Sequence, residues 1–148
     1  MKSIVVVDID AAPKKVATLY ADPTNNAKWM DDVARCEPIS GMPGVQGSVY
    51  RLVPKPKRGS MVFTATLVQR LPNELHLTLD ASNVTVSVQG SLTSLPNGRT
   101  RFTSREVFSF KGVWNKAYGV LAKPAIHNVH RKQIKAFKKF VERLERGR

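Results

Sequence analysis

The chain has one cysteine, Cys36, in 148 residues. No intrachain disulfide can form, and a reducing compartment is the expected setting. No apolar run approaches the roughly 20 residues that a membrane-spanning helix needs. The start of the chain does not read as a secretory leader either. Met1 to Val7 is largely apolar, but Asp8 and Asp10 interrupt it and no small-residue cleavage site follows. A cytoplasmic location is expected. No glycine-rich phosphate loop, nucleophile elbow or dinucleotide fingerprint is present; Gly41, Gly44 and Gly47 do not join a strand to a helix. His127 and His130 are three apart, but no Cys, Asp or Glu completes a metal-binding spacing with them, and His76 alternates with leucines. Neither a metal nor a cofactor is expected. Acidic residues are scarce: 11 stand against 24 Lys and Arg, giving a formal net charge of +13.

At 42% hydrophobic residues the chain is globular, and its length suits one domain over residues 1–148. A domain of this size buries roughly two thirds of its unfolded surface, enough for a core and a cavity.

The stretch from Ala125 to Glu145 organises the rest. At about 100° per residue, Ile126, His130, Gln133, Phe137, Phe140 and Leu144 fall within about 40° of one line. Val129, Ile134, Ala136 and Val141 flank it. The far side carries Asn128, Arg131, Lys132, Lys135, Lys138, Lys139, Glu142 and Arg143. Such a helix needs a surface for its apolar stripe. The chain before it reads mostly as strand. Ser3 to Asp10 is β-branched. Pro13 opens a short helix to Ala21, and Asp22-Pro23 restarts a second one to about Met30. Strands follow at Val33–Ile39, Ser48–Val53, Met61–Arg70, Leu75–Leu79, from Val84, and at Thr100–Phe110, separated by short turns. Asn97-Gly98 suits the positive φ of a hairpin. Short turns between successive strands build an antiparallel meander. After Gly112, a helical segment from Val113-Trp114 to about Lys123 meets Pro124, where a kink or restart is expected.

These features together carry a resemblance. They are Asp10-Ala11-Ala12-Pro13 after the first strand, Asp22-Pro23 with Trp29 downstream, and Gly44 to Gly47 before a strand. To them are added the hairpin from Pro96 to Arg101, Phe108-Ser109-Phe110-Lys111-Gly112 at a strand end, and the closing helix. In order and spacing the chain resembles the START-like (SRPBCC) superfamily, which includes birch-pollen-allergen-like and polyketide cyclase/dehydrase-like proteins. The resemblance implies an α+β helix-grip fold: a curved antiparallel sheet of about six to seven strands wrapped around a long C-terminal helix, with two short helices after the first strand. It also implies a cavity for an apolar or amphipathic molecule such as a lipid, isoprenoid or polyketide. It carries over no universal catalytic motif.

Trp29, Phe63, Leu77, Phe102, Glu106, Phe108, His130, Gln133 and Phe137 are the candidate cavity residues. The same pattern fits a solid core. Glu106 shares strand parity with Phe102, Ser104 and Phe108, so it faces inward among apolar groups and needs a partner. His130 or Gln133, on the stripe of the long helix, would supply one. Arg101 and Arg105 have the opposite parity. Glu106 and His130 are the candidate proton-transfer residues if the pocket is an enzyme site of the cyclase/dehydratase type. A third reading uses the basic helix face. From Arg131 to Arg148 there are eight basic residues and two acidic ones. Arg131, Lys135, Lys138 and Lys139 would meet RNA, a ribosome or anionic lipid, although no aromatics are interleaved for base stacking.

Overall fold

The computed structural model describes residues 1–147; Arg148 and the side chains of residues 113–122, Trp114 among them, lie outside the description. The chain opens with β1 (Lys2–Ile9), α1 (Pro13–Ala21), a 3-10 turn (Pro23–Asn25) and α2 (Asn26–Trp29). Six strands follow: β2 (Val33–Ser40), β3 (Val49–Pro54), β4 (Phe63–Leu71), β5 (Glu74–Asp80), β6 (Val84–Leu95) and β7 (Arg99–Phe110). The closing helix α3 runs Val113–Arg146. Local chemistry sets several boundaries. Pro13 takes the first turn of α1, where its missing N–H costs nothing. The Asp22 carboxylate accepts from the Thr24 N–H at 3.0 Å and from its hydroxyl at 2.8 Å, starting the turn that leads into α2. Between β6 and β7, Asn97 and Gly98 hold φ of 65° and 72°, as the Asn-Gly pair demands.

All seven strands form one antiparallel sheet in the order β1-β7-β6-β5-β4-β3-β2. The meander from β2 to β7 is sequential. β1 joins it beyond β7, pairing Lys2 with Val107 and Ile9 with Thr100. The two edge strands are thus joined through α1 and α2, which close one end of the grip.

β7 shows how the core is graded. Its inward residues Thr100, Phe102 and Ser104 are fully buried, whereas Glu106, Phe108 and Phe110 are partly exposed. At the tight end, Tyr20, Trp29, Phe102 and Phe137 form one aromatic cluster, with ring centroids 4.9 Å apart for Tyr20–Phe102 and 5.2 Å for Trp29–Phe137. Gly90 on β6 makes room for it: a Cβ there would stand 3.1 Å from the Phe102 ring. The Thr100 hydroxyl donates to the Ala11 carbonyl at 2.7 Å, fixing the turn out of β1.

α3 lies on this surface through His130, Ile134, Phe137, Phe140 and Val141, all buried. The buried line is displaced slightly from the one expected: Leu144 is 41% exposed and Val129 54%. Near its C-terminal end α3 is tied to β1. Lys138 donates to the Asp8 carbonyl at 2.8 Å and to Glu142 at 2.7 Å, and the Asp10 N–H donates to Glu142 at 2.9 Å. Of the kink or restart expected at Pro124, there is no restart: α3 passes it as one continuous element. Proline removes one backbone hydrogen bond, and packing on either side can hold a helix through that loss.

Two substitutions separate the packing of the core from its hydrogen bonding. Phe137→Ala opens a void among three other rings and should destabilise the fold by about 3–5 kcal/mol. Thr100→Val keeps the shape and leaves the Ala11 carbonyl unpaired, for about 1–2 kcal/mol. Denaturant titration of both variants measures the two values and their order.

Candidate functional site

Beyond His130 toward the start of α3, the helix and sheet enclose space. An outer chamber of about 380 Å³ is lined by β-strand residues Phe63, Leu79, Val86, Glu106 and Phe108 and by Ile126, Val129, His130 and Gln133 of α3. The segment from Lys57 to Met61 and the pair Asp32-Val33 rim it. An inner chamber of about 60 Å³ lies toward the aromatic cluster, among Tyr20, Asn26, Trp29, Tyr50, Leu77 and Val88. Met30, Leu52, Leu79, Glu106 and Gln133 line both chambers and form the wall between them. The outer chamber falls in the range of about 300–1,000 Å³ usual for small-molecule sites. The inner one has the size of a few waters or one small functional group.

Glu106 is the chemical centre of that wall. Its side chain is 14% exposed, and among the described residues it accepts no hydrogen bond. Burial alone pushes its carboxyl up to about pKa 7. The His130 Nε2 lies 3.8 Å from one of its carboxyl oxygens. This is not an ion pair near neutral pH. Burial, helped by His127, holds the His130 imidazole down at about pKa 4. Between about 4 and 7 both groups are therefore neutral.

Both nitrogens of His130 are already engaged. Nδ1 lies 2.8 Å from the Ser3 hydroxyl and Nε2 lies 2.9 Å from the Ser104 hydroxyl. Ser3 also meets His127 Nδ1 at 2.9 Å. The two histidines thus meet at one serine hydroxyl. In the inner chamber, burial pushes the phenols of Tyr20 and Tyr50 above their ordinary range, so both keep their protons. The Trp29 indole N–H is buried without a partner among the described residues.

The expected site residues divide among these places. Phe63, Phe108 and His130 line the outer chamber, Trp29 and Leu77 the inner one, and Glu106 and Gln133 the wall. Phe102 and Phe137 line neither: both are fully buried in the aromatic cluster and pack against each other at 5.6 Å. Glu106 approaches His130 as parity suggested, but the hydrogen bonds of His130 go to serines. Ser3 was missed, although a signal existed. It is the lone polar residue at the inward parity of β1, ahead of Val5, Val7 and Ile9. Asn26 and Tyr50 were missed too, because they arrive from α2 and β3 with no shared period. Cys36 is half-buried, and burial raises its thiol to about pKa 11. His76 faces away from the chambers, 3.1 Å from Glu74. On the basic face, Lys138 is taken up by Glu142 and Asp8.

Among solved structures, the fold matches a START superfamily protein from Mycobacterium smegmatis, at TM-score 0.76 and 17% identity over 97% of this chain and 98% of that one. It also matches Zhui aromatase/cyclase from Streptomyces sp. R1128, at 0.70 and 13% over 95% of both chains. Truncated norcoclaurine synthase from Thalictrum flavum matches at 0.70 and 12%, over 95% of this chain and 94% of that one. These likenesses, at such identities, show the helix-grip fold. No curated protein matches the chain. The family model for polyketide cyclase/dehydrase and lipid transport matches residues 2–142, and the chain belongs to that family.

Proposed function

We propose that the chain binds an amphipathic, mainly apolar small molecule, of lipid, isoprenoid or polyketide type. The apolar body lies in the outer chamber and the polar end meets Glu106 and Gln133. One observation carries this reading: a carboxyl group without a hydrogen-bond partner among the described residues stands in the wall of a mainly apolar chamber of about 380 Å³. A buried polar group left unpaired is costly, and a ligand hydroxyl or amide donor would remove that cost. The family and the fold agree with hydrophobic ligand binding at this coarse level.

A second reading uses the same pocket for cofactor-independent cyclase or dehydratase chemistry. Its support is the titration of Glu106 near 7. A general acid or base works best when its pKa lies close to the working pH. Glu106 would move the proton at the substrate, and His130, neutral and held by two serines, would stand behind it.

Native mass spectrometry with organic extraction tests the binding reading. A discrete mass released on denaturation supports it, and its recovery intact or transformed separates carrier from enzyme. With the neutral fluorophore N-phenyl-1-naphthylamine as probe, the wild type should bind and Ile126→Trp, which fills the outer chamber, should lose at least about tenfold in affinity, or 1.4 kcal/mol. Bare protein together with no probe binding would overturn the reading.

Glu106 also sets a pH dependence of stability. Below about pH 4.5 its carboxyl is protonated in both the folded and unfolded chain, and the group costs nothing. Between about 4.5 and 7 the unfolded chain releases the proton while the fold retains it, so stability falls through that window. Glu106→Gln should therefore gain on the wild type from pH 4.5 to 7 and level off above, by a total on the order of 3 kcal/mol. Thermal denaturation across pH 4–8 reads the window directly.

A further inference from the structure

The hydroxyl of Ser3 stands between two imidazoles. It lies 2.9 Å from His127 Nδ1 and 2.8 Å from His130 Nδ1, while His130 Nε2 lies 2.9 Å from the Ser104 hydroxyl. A hydroxyl has one hydrogen to donate. Ser3 therefore donates to one Nδ1 and accepts from the other. With both rings neutral, two arrangements satisfy all three contacts. In the inward one, His127 carries hydrogen on Nδ1 and donates to Ser3, Ser3 donates to His130, and His130 carries hydrogen on Nε2. In the outward one every donor is reversed: His130 carries hydrogen on Nδ1, and His127 on Nε2. The two rings must hold opposite tautomers.

Protonation of His127 removes the choice. Its Nδ1 can then only donate, Ser3 must donate onward, and His130 is fixed with hydrogen on Nε2. That nitrogen is 3.8 Å from Glu106, about 1 Å beyond direct hydrogen bonding. Ser3, His130 and Ser104 are at most 3% exposed, whereas His127 is only partly buried. The chain of contacts runs from the surface to the wall of the chambers.

We propose that His127, Ser3 and His130 form a proton relay that connects Glu106 to the solvent side of α3, with Ser104 holding the inner end. In the outward arrangement the Nε2 lone pair of His130 accepts from the Ser104 hydroxyl; rotation of that hydroxyl frees the pair for the protonated acid, whose carboxyl closes about 1 Å from its resting distance of 3.8 Å. The Glu106 proton passes to Nε2, the Nδ1 proton passes to Ser3, and the Ser3 proton passes to His127 Nδ1. His127 then releases a proton from Nε2 to water. The Ser104 hydroxyl turns to accept from Nε2–H. Only N–H and O–H bonds form and break, one proton leaves, and the chain is left in the inward arrangement beside an ionised Glu106. The reverse passage returns the proton and restores the outward arrangement, so the relay needs no separate reset. The relay does not depend on what fills the outer chamber.

The charged groups on neighbouring elements are the Met1 amino group and Lys2 on the β1 side, Arg105 on β7, and Lys123 and Arg131 on α3, one turn to either side of His127. Across the outer chamber stand Asp32, Lys57 and Arg58. Among the described residues, none of them hydrogen-bonds to the four relay side chains, so none competes for the bridging hydroxyl.

Long-range ¹H–¹⁵N spectra of the imidazoles test the proposal. Above the titration of His127, the wild type should show opposite tautomers, or populations that mirror each other. As His127 takes up its proton, His130 should become fully Nε2–H, and the ¹³C shift of the Glu106 carboxyl should show a step at the same midpoint. Ser3→Ala keeps both histidines and should abolish both linked changes while His127 still titrates. His127→Gln leaves all buried members in place and should remove the step as well. A helix-pinning role alone would keep the tautomers opposite but leave the Glu106 carboxyl without a step at the His127 midpoint. Equal tautomers in the neutral wild type, or a Glu106 step that survives in Ser3→Ala, would overturn the relay.

Discussion

Everything in this fold depends on where α3 touches the sheet and where it does not. Phe137 is the fixed point: its ring meets Phe102, Tyr20 and Trp29, and the group sits over a glycine on β6. Dispersion contacts of this density hold helix and sheet at closest approach. The ties from Lys138 and Glu142 to β1 secure the same half of the helix. Toward Ile126 the inward side chains of β7 are only partly covered, and the separation becomes a chamber. Core and pocket are thus two ends of one interface.

Polar groups along that interface are treated in two opposite ways. Ser3, His130 and Ser104 satisfy one another at the edge of the dense core. One turn of strand away, Glu106 has no donor among the described residues, and the Trp29 N–H beyond the wall is also unpaired. A fold selected for stability alone would fill or pair such positions, because unpaired buried groups are expensive. Both groups border the two chambers, whereas the buried Ser48 hydroxyl, which lines neither, is a further one without a partner among the described residues.

Much of this was legible in the sequence. The period of two in β7 put Glu106 on the inner face with Phe102 and Phe108, and the 3.6-residue period of α3 put His130 and Gln133 opposite. Helix starts followed from Pro13 and Asp22, and the β6–β7 hairpin from Asn97-Gly98. Periodicity reports direction, however, and not depth. Phe102 and Phe108 look alike in sequence, yet one is fully packed and the other lines a chamber, because their fates depend on the local distance to α3. For the same reason Phe137 reads as a pocket wall and acts as an anchor. The serine between two histidines was harder still to foresee. Ser3 and His130 are 127 residues apart, and no local pattern records their meeting.

That distance along the chain has a consequence for how the protein comes into being. β1 pairs with β7 alone, so the first strand made has no strand partner until the last strand has left the ribosome, and α3 follows later still. Closing so large a loop is a late and entropically costly event. The meander from β2 to β7 can pair as it emerges, but the grip closes only at the end. A half-made or C-terminally truncated chain would present the sheet without its anchor and without a pocket, leaving its apolar face exposed to chaperones and proteases. The outer chamber is therefore all-or-none: it arrives with the final helix.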